Sequence, residues 1–131
     1  MSSNYSINFN TPKRSKKLIK FIIIHYTGMK SQAKAIERLC DSSSKVSAHY
    51  FIKDNGKLLN LVPDLYEAWH AGKSSWKNLK ALNKYSIGIE INNSGHDYGY
   101  PKFKKRQIST LKKLLKNLIN KYKIRNRNIL G

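Results

Sequence analysis

Four side chains in this sequence have types and settings that could do chemistry: His25, His49, His70 and Glu90. His25 follows the run Phe21-Ile22-Ile23-Ile24, whose apolar and mostly β-branched residues read as a strand buried on both faces, and Gly28 breaks the run just beyond it. A histidine at the mouth of such a strand is held by a rigid core yet reachable from solvent, which suits a metal ligand or a catalytic base. It equally suits a histidine that only caps a strand. Glu90 sits between Ile89 and Ile91. Either it faces water from an edge strand, or it is partly desolvated, its pKa rises and it becomes a candidate general base.

The elements that must position these groups can be read in order. Residues 1–17 read as a flexible basic lead-in ending in Lys13-Arg14-Ser15-Lys16-Lys17, and a strand over 18–25 follows. Residues 30–40 are rich in helix formers, with Ala33, Ile36 and Leu39/Cys40 at helical spacing. Val46–Ile52 reads as a strand carrying His49 within it, and Asp54-Asn55-Gly56 is a hairpin signal before a returning strand over 57–62. After Pro63 comes a long irregular connection over 64–84, in which Trp69 and Trp76 argue against disorder. Ser86–Ile91 alternates Ile87, Ile89 and Ile91 with Gly88 and Glu90, which predicts a strand. A Gly/Asn-rich loop then leads to Pro101. Residues 104–122 form the clearest helix, with Ile108, Leu111, Leu114, Leu118 and Tyr122 on one face and lysines on the other. Asn128–Gly131 starts a further short strand. This order predicts a single α/β domain with a mixed central sheet flanked by helices.

A length of 131 residues fits one domain with a real core, and 40% apolar content excludes wholesale disorder. The single cysteine, Cys40, excludes an internal disulfide framework and a Cys-rich zinc knuckle. No apolar run is long enough for a membrane span, and residues 1–17 show no apolar signal-peptide segment, so the compartment, cytoplasm or cell envelope, stays open. The formal charge of +19 draws polyanions: nucleic acid, anionic lipid or an acidic cell-wall polymer. Lysine supplies most of it, against five arginines, Arg14, Arg38, Arg106, Arg125 and Arg127. Base and phosphate recognition by bidentate forks favours arginine, so a specific nucleic-acid partner is not expected.

Four segments together carry a resemblance: Phe21–Thr27, Val46–Ile52, Ala68-Trp69-His70-Ala71-Gly72-Lys73-Ser74-Ser75-Trp76, and Asn83–Glu90. In this order and spacing, from about residue 18 to the last, the chain resembles the type 2 N-acetylmuramoyl-L-alanine amidases. These are zinc amidases of peptidoglycan, including the AmpD and AmiD types, that share the fold of the peptidoglycan recognition proteins. The resemblance implies an amidase domain over 18–131, acting as a monomer on peptidoglycan or muropeptides. It implies that Zn²⁺ assists hydrolysis of the amide between N-acetylmuramic acid and L-alanine. His25 matches the first zinc ligand and Glu90 the catalytic glutamate, base toward water and then proton donor to the leaving amine. His70 matches a histidine lining the substrate groove, with Trp69 and Ala71 beside it as substrate-binding residues. His49 is expected to be structural or to support the ligands from behind.

Two departures from the family pattern qualify these roles. Ala48 stands where some relatives carry a catalytic tyrosine, which leaves Glu90 to serve alone. In the family a histidine follows the final Leu-Gly as second zinc ligand, and a segment further on supplies a catalytic lysine and the third ligand. The sequence in hand ends at Gly131, so it is expected to hold one zinc ligand of three, with impaired hydrolysis. The alternative expectation is a catalytically inactive peptidoglycan-binding remnant.

Overall fold

The computed structural model describes residues 5–71, 75–76, 79–80, 82–94 and 102–131, the two short pairs as backbone alone. The loop leading to Pro101, His96 within it, and the side chain of Trp76 lie outside the described residues. In chain order the elements are β1 (Phe9–Asn10), β2 (Phe21–Tyr26), α1 (Gln32–Cys40), β3 (Tyr50–Ile52), β4 (Leu58–Asn60), β5 (Glu67–Ala68), β6 (Ser75–Trp76), β7 (Leu79–Lys80), β8 (Ser86–Ile91), α2 (Lys105–Tyr122) and β9 (Ile129–Leu130).

The main sheet has the order β4-β3-β8-β2-β9, in which β3, β8, β2 and β9 run parallel and β4 is an antiparallel edge. It is the expected mixed sheet, and its two faces are covered differently. Ile22, Ile87, Ile89, Ile91 and Ile52 turn to one face and pack with Leu114, Leu118 and Tyr122 of α2. On the other face, Phe51, Ala48 and Leu61 meet Ala35 and Leu39 of α1. Alternation along β2 and β8 then sends Phe21, Ile23 and His25, and Ser86, Gly88 and Glu90, to that second face. Every group singled out for chemistry except those in the loops shares it.

Local chemistry explains the boundaries. Ser31 caps α1 by accepting from the Lys34 N–H at 3.2 Å. At the start of α2, Gln107 accepts from the Lys104 N–H at 3.0 Å, and its amide donates to the Asn92 carbonyl at 2.9 Å, tying the helix to the end of β8. Gly56 turns the β3–β4 hairpin with φ +85°, and an added Cβ there would lie 2.8 Å from the Arg106 carbonyl oxygen.

Several expectations need correction. The strand foreseen over 18–25 is β2, shifted to Phe21–Tyr26, because Lys16–Leu18 forms a 3-10 turn capped by Ser15. The strand foreseen over Val46–Ile52 pairs regularly only at Tyr50–Ile52. The His49 carbonyl accepts from both the Leu61 and Val62 N–H groups, an irregularity that ends the ladder. The long connection contains β5, β6, β7 and a 3-10 turn at Leu82–Tyr85. No helix among the described residues is long and apolar enough to cross a membrane.

The largest correction concerns the lead-in read as flexible over 1–17. Its described part is packed: β1 pairs antiparallel with β5, and the Asn8 amide donates to the Asp41 and Val46 carbonyls, each at 2.8 Å. Arg14 is buried and donates to the carbonyls of Asn83 (2.8 Å), Lys84 (3.0 Å) and Asp64 (2.9 Å). Burial lowers its pKa to about 10, so it stays charged at neutral pH. A cluster of basic residues gives no sign that one of them is an internal staple. Arg14→Ala is expected to lower the unfolding free energy by about 2–3 kcal/mol, since buried carbonyls lose a charged donor. Urea denaturation reads this directly; an unchanged midpoint would restore the flexible reading.

Candidate active site

The site starts from a register. In the parallel pair β2–β8, His25 lies opposite Glu90 and Ile23 opposite Gly88, while in β3–β8 Phe51 is the other neighbour of Glu90. Glu90 therefore belongs to the central strand, and the edge-strand alternative for it does not hold. Residues opposite each other on adjacent strands project to the same face, so backbone pairing alone delivers an imidazole and a carboxyl side by side. The carboxyl is largely withdrawn from water, and burial pushes its pKa up to about 8, with Arg38 opposing.

Next to this pair lies a cleft of about 140 Å³ lined by Thr27, Arg38, Ser47, Trp69, His70 and Glu90, among others. It is small beside typical ligand cavities of about 300–1,000 Å³. Three loops or helix ends feed it: the turn after β2, the last turn of α1, and the segment after β5. Arg38, Thr27 and Ser47 were not foreseen as site residues. Arg38 in an amphipathic helix reads as a solvated charge, and only the packing of α1 on the sheet points it at Glu90.

His70 enters from the loop. The Asn83 side chain accepts from the N–H groups of His70 (3.1 Å) and Ala71 (2.7 Å), which fixes the backbone. The ring packs against Gly88, where an added Cβ would come within 2.3 Å of His70 Cγ. Its Nδ1 is 3.1 Å from His25 Nε2 and its Nε2 is 2.9 Å from Ser86 Oγ. Burial, with the neighbouring His49, His25 and Arg14, holds its pKa well below the usual histidine range. Burial also lowers the pKa of His25.

The remaining foreseen residues separate. Trp69 lines the cleft and donates its indole N–H to Asn10 at 3.0 Å, so the N-terminal segment orients it. Ala71 does not line the cleft; it packs toward Phe21, Ile23 and Leu82, so a direct substrate contact by its side chain has no support in the packing. His49 is fully buried, accepts from the Gly88 N–H at Nδ1 (3.0 Å) and donates from Nε2 to the Tyr66 carbonyl (2.7 Å). Burial lowers its pKa to about 4, so it is a neutral strut between β8 and the β5 loop.

As a metal site the donor set is partial. His25 commits Nε2 to His70, and among the described residues Nδ1 meets no hydrogen-bond partner, which leaves it able to ligate. Among the described residues no three His, Cys, Asp or Glu side chains come together in a way that could hold a metal ion. His25 thus fits one corner of a coordination sphere.

The raised pKa of Glu90 has a consequence for stability in the metal-free chain. Its carboxyl titrates near 4.5 when unfolded and near 8 when folded, because burial outweighs the opposing charge of Arg38. The folded state binds this proton more tightly, so the group costs nothing below the unfolded value and stability declines as pH rises toward 8. Glu90→Gln should therefore match the parent protein near pH 4 and exceed it near pH 8.5 by roughly 2–4 kcal/mol. Urea denaturation at the two pH values checks this; an advantage that does not grow with pH would show that Glu90 is solvated.

Comparison with known proteins agrees with this fold. Residues 14–131 match the protein family described as N-acetylmuramoyl-L-alanine amidase. The chain is 36% identical over 125 residues to the N-acetylmuramoyl-L-alanine amidase AmiD of Escherichia coli, covering 86% of this chain and 44% of that protein. It is 35% identical over 103 residues to a putative N-acetylmuramoyl-L-alanine amidase of Rickettsia conorii, covering 77% and 36%. Its structure is similar to that of AmpDh3 from Pseudomonas aeruginosa, with a TM-score of 0.81 at 31% identity over 100% of this chain and 57% of that one. The E. coli AmiD complex with anhydro-N-acetylmuramic acid-L-Ala-D-gamma-Glu-L-Lys gives 0.78 at 32% identity, over 92% and 50%. The chain spans less than half the length of these curated relatives. A family match over nearly the whole chain, with relatives of this identity and the shared fold, settles its membership: this chain belongs to the N-acetylmuramoyl-L-alanine amidase family.

Proposed function

We propose that this chain is the core of a zinc amidase that hydrolyses the amide between N-acetylmuramic acid and the L-alanine of the stem peptide. The observation that carries the reading is the in-register pairing of His25 with Glu90 beside the cleft. The similar AmiD structure holds an anhydromuropeptide, which supports a substrate of that class. The reading takes the domain as a monomer with no specific nucleic-acid partner.

When bound, Zn²⁺ would polarise the amide carbonyl and acidify a water molecule. His25 supplies one nitrogen donor for it. Glu90 removes the proton from the attacking water and returns it to the departing amine of L-alanine, a double duty suited to a carboxyl whose pKa lies near the working pH. The Trp69 ring forms a wall for the peptide, and Arg38 puts a fixed positive charge where the carboxylates of the stem peptide would pass.

Two more protein donors are required. The register of β9 on β2 supports where one would sit. Ile129 lies opposite Ile22 and Leu130 opposite Ile23, so a residue following Gly131 in the same register would stand opposite His25. That is the position at which the family carries its second histidine ligand. The positively charged concavity of about 900 Å³ lined by Lys16, Lys17, Lys20, Lys121, Arg125 and Arg127 favours, in addition, retention on anionic wall polymers.

The test is release of stem peptide from an anhydromuropeptide by zinc-loaded protein that includes this domain and the residues following it. Glu90→Gln should lower kcat by about 10²–10⁴-fold while zinc is retained. His25→Ala should lose both zinc and activity. If Glu90→Gln hydrolyses at the parent rate, the assignment of the base is wrong. The competing reading, a binding module without hydrolysis, is favoured by the partial donor set among the described residues. It would be revealed by zinc-independent retention on peptidoglycan with no peptide released.

A further inference from the structure

A chain of hydrogen bonds runs from the backbone to His25, and the carbonyl at its start sets the direction of the links that follow. It begins at the Leu82 carbonyl, which can only accept, so the Ser86 hydroxyl at 2.7 Å donates its single proton there. That leaves Ser86 Oγ as the acceptor for His70 Nε2 at 2.9 Å, so the His70 proton is on Nε2. His70 Nδ1 is then a bare lone pair. It lies 3.1 Å from His25 Nε2, which must carry a proton to make the contact. The remaining nitrogen of His25, Nδ1, is the one left bare.

We infer that His70 is a positioning residue: through the relay Leu82–Ser86–His70 it fixes His25 as the Nε2–H tautomer and presents Nδ1 as the metal-binding atom. This rests on the reading of His25 as a zinc ligand, and it adds orientation of the ligand to the cleft lining expected of His70. The fold invests in the relay at three points. Gly88 has no side chain, because a Cβ there would lie 2.3 Å from the His70 ring. Asn83 holds the His70 and Ala71 N–H groups together. The rings of His25 and His70 meet edge to face, with centroids 5.3 Å apart, so the Nε2–H vector is aimed rather than free to rotate. Partners of this kind set both the tautomer and the ring plane of a ligand, and their loss typically weakens metal binding about 10–100-fold.

The test needs no metal. Long-range ¹H–¹⁵N correlation spectra of the ¹⁵N-labelled, metal-free chain distinguish protonated from bare ring nitrogens. The expected pattern is Nε2–H with bare Nδ1 for both His25 and His70. His70→Leu should convert His25 to a mixture of tautomers. His70→Gln, whose amide oxygen can still accept, should restore the single form. Ser86→Ala should loosen the His70 tautomer first, and His25 through it. Backbone amide spectra of each variant report whether the fold is kept, and the parent spectrum decides the matter even if a variant does not fold. An Nδ1–H tautomer at His25 in the parent chain, or a His25 pattern unmoved by His70→Leu in a folded variant, would overturn the inference. Absence of amide hydrolysis in the zinc-loaded protein would defeat the proposed function while leaving this readout standing, so the two fail separately.

Discussion

The close approach of the His70 ring to Gly88 is the constraint on which the site depends. β8 is the central strand of the sheet, and on the face that α2 does not cover it offers Ser86, Gly88 and Glu90 in succession. A hydroxyl, a gap and a carboxyl at alternate positions make a surface into which one flat ring fits. With any side chain in the gap the ring would be displaced, and with it the contact to His25. The sheet therefore sets the site before any loop closes over it. Parallel pairing aligns His25 with Glu90, and the loop after β5 completes the arrangement by laying His70 across both strands.

The same burial gives the three imidazoles and the carboxyl different electrostatic characters. His49, sealed between β8 and the β5 loop, is neutral and committed at both nitrogens. His70 is neutral and committed at both nitrogens as well, but one of its partners is another side chain at the cleft. Among the described residues, His25 has a single commitment and one nitrogen without a hydrogen-bond partner. Glu90, with no buried cation close enough to offset its desolvation fully, holds its proton to about pH 8. Reactivity in this group follows from what each ring or carboxyl has left over after the fold has used it. Only His25 and Glu90 have something left.

The N-terminal segment matters to the site for a related reason. Arg14 crosses beneath the loop and holds the Asn83 and Lys84 carbonyls, next to the side chain that fixes His70 and Ala71. Asn10 orients the Trp69 indole. A stretch whose composition reads as a solvated tail is thus part of the scaffold behind the cleft, and its contacts through Asn10 and Arg14 support the loop that carries Trp69 and His70.

Much of this was determined by the sequence alone. The isoleucine run before His25, the alternation through Ser86–Ile91 and the apolar face over 104–122 specify buried strands and a packed helix, because hydrophobic period is a local property that burial has to satisfy. Motif order was enough to identify the family. What the sequence could not express was register and packing. That Glu90 lies on the central strand opposite His25, that Arg38 turns toward it, that Arg14 is internal, and that Ala71 faces away from the cleft are all outcomes of how separate segments pair. The role of His70 is of the same kind. A residue in a loop acquires it only by lying over a glycine many positions later and reaching a histidine many positions earlier. Directional hydrogen bonds between distant segments leave no periodic trace in the chain, so the tertiary structure alone decided which nitrogen His25 has to offer.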